Sequence, residues 1–182
     1  MQPIERIVAE CQQGDRSAFD VLFERYHARV YRLAYGILRR EVEAEDAVQD
    51  TFLKAYRNID RFQGKSSFET WLVSIAVNCC RDRLRRGKVR RFLSLENVAP
   101  RILLRAFHVG QDPAATVSKR EEQRTLWQAV AELDERLRLP IVLRYQEGLS
   151  CGQIAQVLDL SLSTIYTQLS QGRQELRELL DV

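Results

Sequence analysis

The sequence predicts an all-α protein of two small helical domains joined by a long linker, and three observations predict it. Apolar residues recur at three- and four-residue steps through residues 4–86 and again through 116–182, the period of helices buried on one side. Between them, residues 87–115 contain Gly87, Pro100, Gly110 and Pro113 and keep no sustained period. A segment of that length is natural between domains and awkward inside one. Size agrees, since 182 residues at 45% hydrophobic composition fill one large core or two small ones.

Ile4, Ile7, Val8 and Cys11 make a short helical stripe that ends at Gly14, and Asp15 is a good cap for the next helix. There Phe19, Leu22, Phe23, Tyr26, Val30, Leu33, Ala34, Ile37 and Leu38 keep helical spacing without a proline. Its aromatics, with Tyr31 and Tyr35, are assigned to core or rim. A second long helix is expected from Val42, with Glu43, Glu45 and Asp46 near its positive dipole end and Val48, Phe52, Ala55, Tyr56 and Ile59 on its buried side. In the next stretch Ser66 and Glu69 have capping-box spacing, and Phe68, Trp71, Leu72, Ile75, Ala76 and Cys79 form a stripe. Its polar side carries Asn78, Arg81, Arg83, Arg85 and Arg86, which suit a helix C-terminus and also offer a path for a phosphate backbone. The pattern is expected to stop after Arg86. Cys79 and Cys80 point about 100 degrees apart on a helix, so at most one joins the stripe.

In the last third, Leu126, Trp127, Val130 and Leu133 form one stripe, and Leu137, Leu139, Ile141, Val142, Leu143 and Tyr145 another, split by Pro140. Ser150 then caps a helix bearing Ile154, Ala155, Val157 and Leu158, and a turn follows at Asp159 and Leu160. Ser161 caps a last helix with Leu162, Ile165, Leu169, Leu176 and Leu179 inside. A short helix, a tight turn and a long amphipathic helix favour DNA binding.

Composition narrows the function. No apolar run approaches the length of a membrane span, and MQPIERIVAECQQGD lacks a signal peptide's apolar centre. A soluble cytoplasmic chain is expected. Cys11, Cys79, Cys80 and Cys151 form no C-x-x-C pair, and His27 and His108 stand alone, so neither metal nor disulfide is expected and the thiols are read as reduced. A metalloenzyme built on Asp46, Asp50 and Asp82 lacks a converging ligand cluster. No cofactor and no catalysis are expected. Residues 87–119 carry six Lys/Arg against two Asp/Glu, while 120–182 carry seven against ten. The acidic last third therefore needs local charge to meet DNA.

The string GKSSFETWLVSIAVNCCRDRLRR closely resembles the promoter-melting segment of the extracytoplasmic-function (ECF) sigma factors, small bacterial initiation factors. Phe62, Gly64, Phe68, Thr70, Trp71, Leu72, Ile75, Ala76, Asn78 and Asp82 fall on the family pattern. EAEDAVQDTFLKAYR is similar to the helix by which the family grips the clamp helices of the polymerase beta-prime subunit. Leu139, Pro140, Leu143, Arg144, Tyr145, Gly148, Leu149 and Ser150 resemble the lead-in to its minus-35-binding domain.

The resemblance implies residues 1–86 as the core-binding and minus-ten domain, 87–115 as linker, and 116–182 as the minus-35 domain. It implies Asp46, Gln49, Asp50 and Phe52 as polymerase contacts. Phe62, Lys65, Ser66, Asn78, Arg81 and Arg85 become minus-ten DNA contacts, with a flipped base captured near the loop 61–67. Ser163, Thr164, Tyr166, Thr167, Ser170, Gln171 and Arg173 become minus-35 contacts, with Gln168 as a further reader. The implied partners are core RNA polymerase, including its beta flap, promoter DNA and an anti-sigma factor, without membrane insertion.

Three departures stand out. Arg40 occupies the usual N-cap aspartate position, so the cap geometry of that helix is open. The linker is basic, with Lys88, Arg90, Arg91, Arg101 and Arg105, and a short amphipathic helix near 101–108 is expected in it. Tyr166, Gln168 and Gln171 replace three usual cations of the recognition helix. The alternative function is a free-standing helix-turn-helix regulator, which would leave the Asp46 segment without a use.

Overall fold

A computed structural model describes residues 3–93 and 117–181, with the side chains of 88–93 and 117–123 left aside. Among the described residues every regular element is helical. They are α1 (Ile4–Gln12), α2 (Arg16–Leu38), α3 (Glu41–Asn58), a 3-10 turn (Ile59–Arg61), α4 (Phe68–Leu93), α5 (Val117–Glu132), α6 (Glu135–Tyr145), α7 (Cys151–Leu158) and α8 (Leu162–Leu180). The expected helix near 101–108 lies outside the described residues.

The first half is built on α2, α3 and α4, with α1 laid against α2. Asp15 Oδ1 accepts from the Ser17 amide at 2.8 Å and starts α2, and Arg39 in the left-handed region (φ 64°) ends it. Leu22, Leu33, Ile37 and Leu72 are at most 1% exposed, and each such burial stabilises the fold by about 1.5–3 kcal/mol. No side chain caps α3. The Arg40 guanidinium pairs with Glu43 at 2.7 Å, an ion pair that caps none of the first-turn amides.

Several expectations need correction here. Ser67, not Ser66, caps α4: its hydroxyl accepts from the Thr70 amide at 3.2 Å. Glu69 makes no capping box and instead accepts the Tyr26 hydroxyl from α2 at 2.5 Å. Helix α4 runs through Gly87 to Leu93, because one interior glycine costs only about 1 kcal/mol and no proline follows until Pro100. Cys79 and Cys80 are both buried, at 2% and 0% exposure. One stripe would shield only one of them, but α4 has neighbours in α2, α3 and α7. Tyr56, placed on a buried side, is 44% exposed, its ring edge-on to Phe19 at 5.0 Å.

In the second half α8 packs on α5, α6 and α7. Asp134 Oδ1 accepts from the Arg136 amide at 2.9 Å and starts α6, which continues through Pro140 rather than being split by it. A Cβ on Gly172 would lie 3.0 Å from Ile141 Cγ1, so this glycine sets the close approach of α8 to α6. Leu162 and Leu179 are 46% and 43% exposed. They sit at the two ends of α8, where the helix overruns its partners. Tyr145, at the end of α6, is 57% exposed.

The halves touch through α2 with α5 and α6, and through α4 with α7. Arg29 Nε meets Glu147 Oε2 at 2.7 Å, and Arg39 donates to the Ala131 carbonyl. Gly36 admits α6: a Cβ there would stand 3.6 Å from Val142 Cγ1.

Candidate polymerase and nucleic-acid interfaces

On α3, the spacing that buries Ala44, Ala47, Val48, Thr51 and Phe52 turns Glu45, Asp46 and Gln49 to solvent, with Asp50 half-exposed. Three of the four residues assigned to polymerase therefore form one accessible row. Phe52 does not join them. At 5% exposure it belongs to the core, its ring 4.7 Å from that of Phe23. The sequence pattern had already placed it on the buried side, and the resemblance should not have moved it out.

Across from that row, Arg83 of α4 reaches Asp46 at 3.0 Å and Asp50 at 2.5 Å. Partial burial works against its charge, but Asp50 and Asp46 reverse this and raise its pKa above the ordinary value. Asp82 on the same helix draws in Arg85, and Lys54 of α3 lies 3.7 Å from it. The Arg85 hydrogen bond is the main reason the Asp82 carboxyl sits below its usual range.

The loop before α4 is held from an unexpected quarter. Gln12, at the end of α1, donates from Nε2 to the carbonyls of Ile59 and Phe62 at 3.0 and 2.9 Å. A lone polar residue at a helix end gives no such signal in sequence. Lys65 and Ser66 are exposed. Phe62 is half-buried, its ring 5.1 Å from Trp71 and 6.0 Å from Phe68, so it braces the loop more than it offers a free face. Phe68 is core at 3% exposure.

Beside the loop lies a groove of about 330 Å³ lined by Lys54, Asn58, Arg61, Trp71, Ile75 and Asn78. It combines an aromatic wall, two side-chain amides and two cations, which is the chemistry of base stacking and edge recognition beside a phosphate. Asn78 lines this groove. Trp71 is the residue that sequence reasoning missed as a groove wall, because its position on the apolar stripe assigned it to the core. Arg85 is exposed, whereas Arg81 is turned to the other half and donates to the Leu158 carbonyl at 3.3 Å.

The helix-turn-helix follows its caps. Ser150 and Gln153 form a complete capping box at the start of α7, Asp159 takes the left-handed turn position (φ 54°), and Ser161 Oγ accepts from the Thr164 amide at 3.1 Å. On α8, Ser163, Tyr166, Thr167, Ser170, Gln171 and Arg173 are all exposed. Thr164 is half-buried, and its hydroxyl shares a 2.7 Å hydrogen bond with Ser161 Oγ, so part of its polar capacity is spent on the cap. Gln168 is turned from the exposed face. It lines a cavity of about 290 Å³ with Arg81, Leu139, Leu158 and Leu160, and its Oε1 is buried without a partner. Gln174 joins the exposed face one turn beyond Gln171.

The first half thus presents an acidic row beside a basic helix, and the second a capped helix-turn-helix. Two family models match the chain, Sigma-70 region 2 over residues 22–90 and Sigma-70, region 4 over residues 123–176. The chain is 33% identical over 180 residues to the ECF RNA polymerase sigma factor SigW of Bacillus subtilis, covering 97% of this chain and 96% of that protein. It is 34% identical over 176 residues to the ECF sigma-E factor of Haemophilus influenzae, covering 93% and 91%. Among solved structures it is similar to CnrH in complex with the cytosolic domain of CnrY, with TM-score 0.67, 26% identity and 96% and 95% coverage. The sigma factor RpoE of Bartonella quintana, solved with the anti-sigma factor NepR, shares the fold at TM-score 0.70 and 24% identity over 90% and 97% of the chains.

The chain belongs to the ECF subfamily of RNA polymerase sigma factors, which bind core polymerase and recognise promoters for transcription initiation. No described helix is long and apolar enough to cross a membrane.

Proposed function

We propose that Asp46, Gln49 and Asp50 of α3 carry the contact with core polymerase, and that Asn78, Trp71, Lys65, Ser66 and Arg85 bind the melted minus-ten strand. The exposed face of α8 from Ser163 to Arg173 reads the minus-35 element. The first domain ends with α4 and the second begins with α5. In this reading the chain acts in the cytoplasm, performs no catalysis of its own, and supplies the promoter address to an enzyme that supplies the chemistry. An anti-sigma factor is its regulatory partner, as NepR is for RpoE of Bartonella quintana.

The observation that carries the proposal is the α3 row. A free-standing helix-turn-helix regulator has no use for three accessible polar residues presented on one face of a separate helical domain. Copurification with core polymerase, followed by sequencing of the promoters that the complex transcribes, tests it. Stoichiometric copurification is expected, lost in an Asp46→Ala, Gln49→Ala chain. Promoter binding by the chain alone, with no affinity for core, would favour the free-standing regulator.

A further inference from the structure

Arg83 sits among arginines that the sequence assigns to DNA, yet its side chain turns away from them. It is 18% exposed and bridges from α4 to α3. Its Nη1 lies 3.0 Å from Asp46 Oδ2 and its Nη2 lies 2.5 Å from Asp50 Oδ2. The two aspartates stand one helical turn apart and are 50% and 45% exposed. Like charges at that spacing repel on a helix. A planar fork with donors in fixed directions can hold both at once, whereas a lysine ammonium is a single point charge on a flexible stem.

The geometry leaves each carboxylate half engaged. Both bonds use Oδ2, and neither Oδ1 has a partner among the described residues. Those two acceptors belong to half-exposed carboxylates, with the exposed Gln49 amide between them in sequence. We propose that Arg83 is a positioning residue for polymerase binding, fixing Asp46 and Asp50 so that their free oxygens meet basic donors on the core enzyme. This rests on the reading that the α3 row is the core contact.

The proposal is separable from simple charge. If only the field of the patch mattered, removing a cation beside two acids would strengthen attraction to a basic partner. Positioning predicts the reverse. Losing Arg83 frees two carboxylates to rotate, and the ordering then has to be supplied on binding.

The test is an equilibrium titration of the full chain against core polymerase, using Arg83→Met and Arg83→Lys in the wild-type background and Arg83→Met in an Asp46→Asn, Asp50→Asn background. Far-UV circular dichroism at the assay temperature confirms that each variant is folded. In the wild-type background Arg83→Met should weaken binding about tenfold, the size of one well-used interface group. Arg83→Lys should recover only part of the loss. In the double-Asn background Arg83→Met should change nothing further, because there is no carboxylate pair left to position.

Unchanged or tighter binding by Arg83→Met, while the double-Asn chain is weakened, overturns the proposal and leaves the α3 reading standing. Equal loss in both backgrounds overturns it as well, since Arg83 would then act directly on the polymerase. Wild-type affinity in the double-Asn chain removes the α3 row from the interface and the proposal with it.

Discussion

Arg29 of α2 and Glu147, two residues beyond α6, meet at 2.7 Å with the Glu147 side chain 2% exposed. This pair joins the two halves of the chain at a point where sequence reasoning expected only a linker to connect them. Arg29→Ala strands a buried carboxylate. Because Arg29 itself is one-third exposed, the expected loss is about 1–2 kcal/mol of interdomain stability rather than the full cost of a buried pair. Small-angle scattering should show a larger radius of gyration for Arg29→Ala than for the parent chain. An unchanged profile would show that Gly36, Arg39 and Arg81 hold the halves together without the pair.

Tyr26→Phe removes the hydrogen bond to Glu69 and should cost about 1 kcal/mol at neutral pH in urea unfolding. Partial burial pushes the Glu69 carboxyl up, but the Tyr26 hydroxyl and local donors more than reverse it and leave it below its ordinary value. A carboxyl depressed in the fold contributes fully above its unfolded value and loses that contribution as pH falls through the folded one. The gap between parent and variant should therefore be complete at pH 7 and close in acid, below about pH 4. A gap independent of pH would assign the loss to packing instead.

Asn78→Ala should impair open-complex formation while core affinity stays at the parental level, and Trp71→Ala should do the same at some cost in stability. Flipping a base costs a few kcal/mol, which stacking and edge hydrogen bonds in the groove must return. Permanganate reactivity of unpaired thymines reads the outcome. Full reactivity in Asn78→Ala would remove the groove from the melting step.

The exposed face of α8 from Ser163 to Arg173 holds one cation, Arg173, so the minus-35 contact should have a shallow salt dependence. Each neutralised phosphate contributes about 0.9 to the log–log slope, and a slope equal to four or more contacts would place the recognition face elsewhere. Gln171→Ala should relax preference at one base pair by about 1–3 kcal/mol, as expected for an amide paired with an adenine edge. Gln168→Ala, turned into the cavity against Arg81, should matter less in that assay.

Much of this was legible in the residues. Caps at Asp15, Ser150 and Ser161 and the stripes through Leu22 to Ile37 fixed the helices, because local hydrogen bonds and periodicity act within a few residues. The errors arose where partners come from far along the chain. Glu69 has capping spacing but finds Tyr26 on another helix. Cys80 lies off the stripe that carries Cys79 yet is buried as well, because α4 has neighbours on more than one side. Gln12, Trp71 and Arg83 carry no local signal of the parts they take: a loop brace, a groove wall and a fork between two aspartates exist only after α1, α3 and α4 have met. Phe52 shows the opposite case, in which the pattern was right and the family likeness led away from it.

This chain gives core polymerase a promoter address, and promoter-dependent runoff transcription with purified core enzyme measures that function. The expected result is a discrete transcript that requires the added chain and disappears with Asp46→Ala, Gln49→Ala. Transcription no different from core alone, on promoters that the chain nevertheless binds by itself, would contradict it.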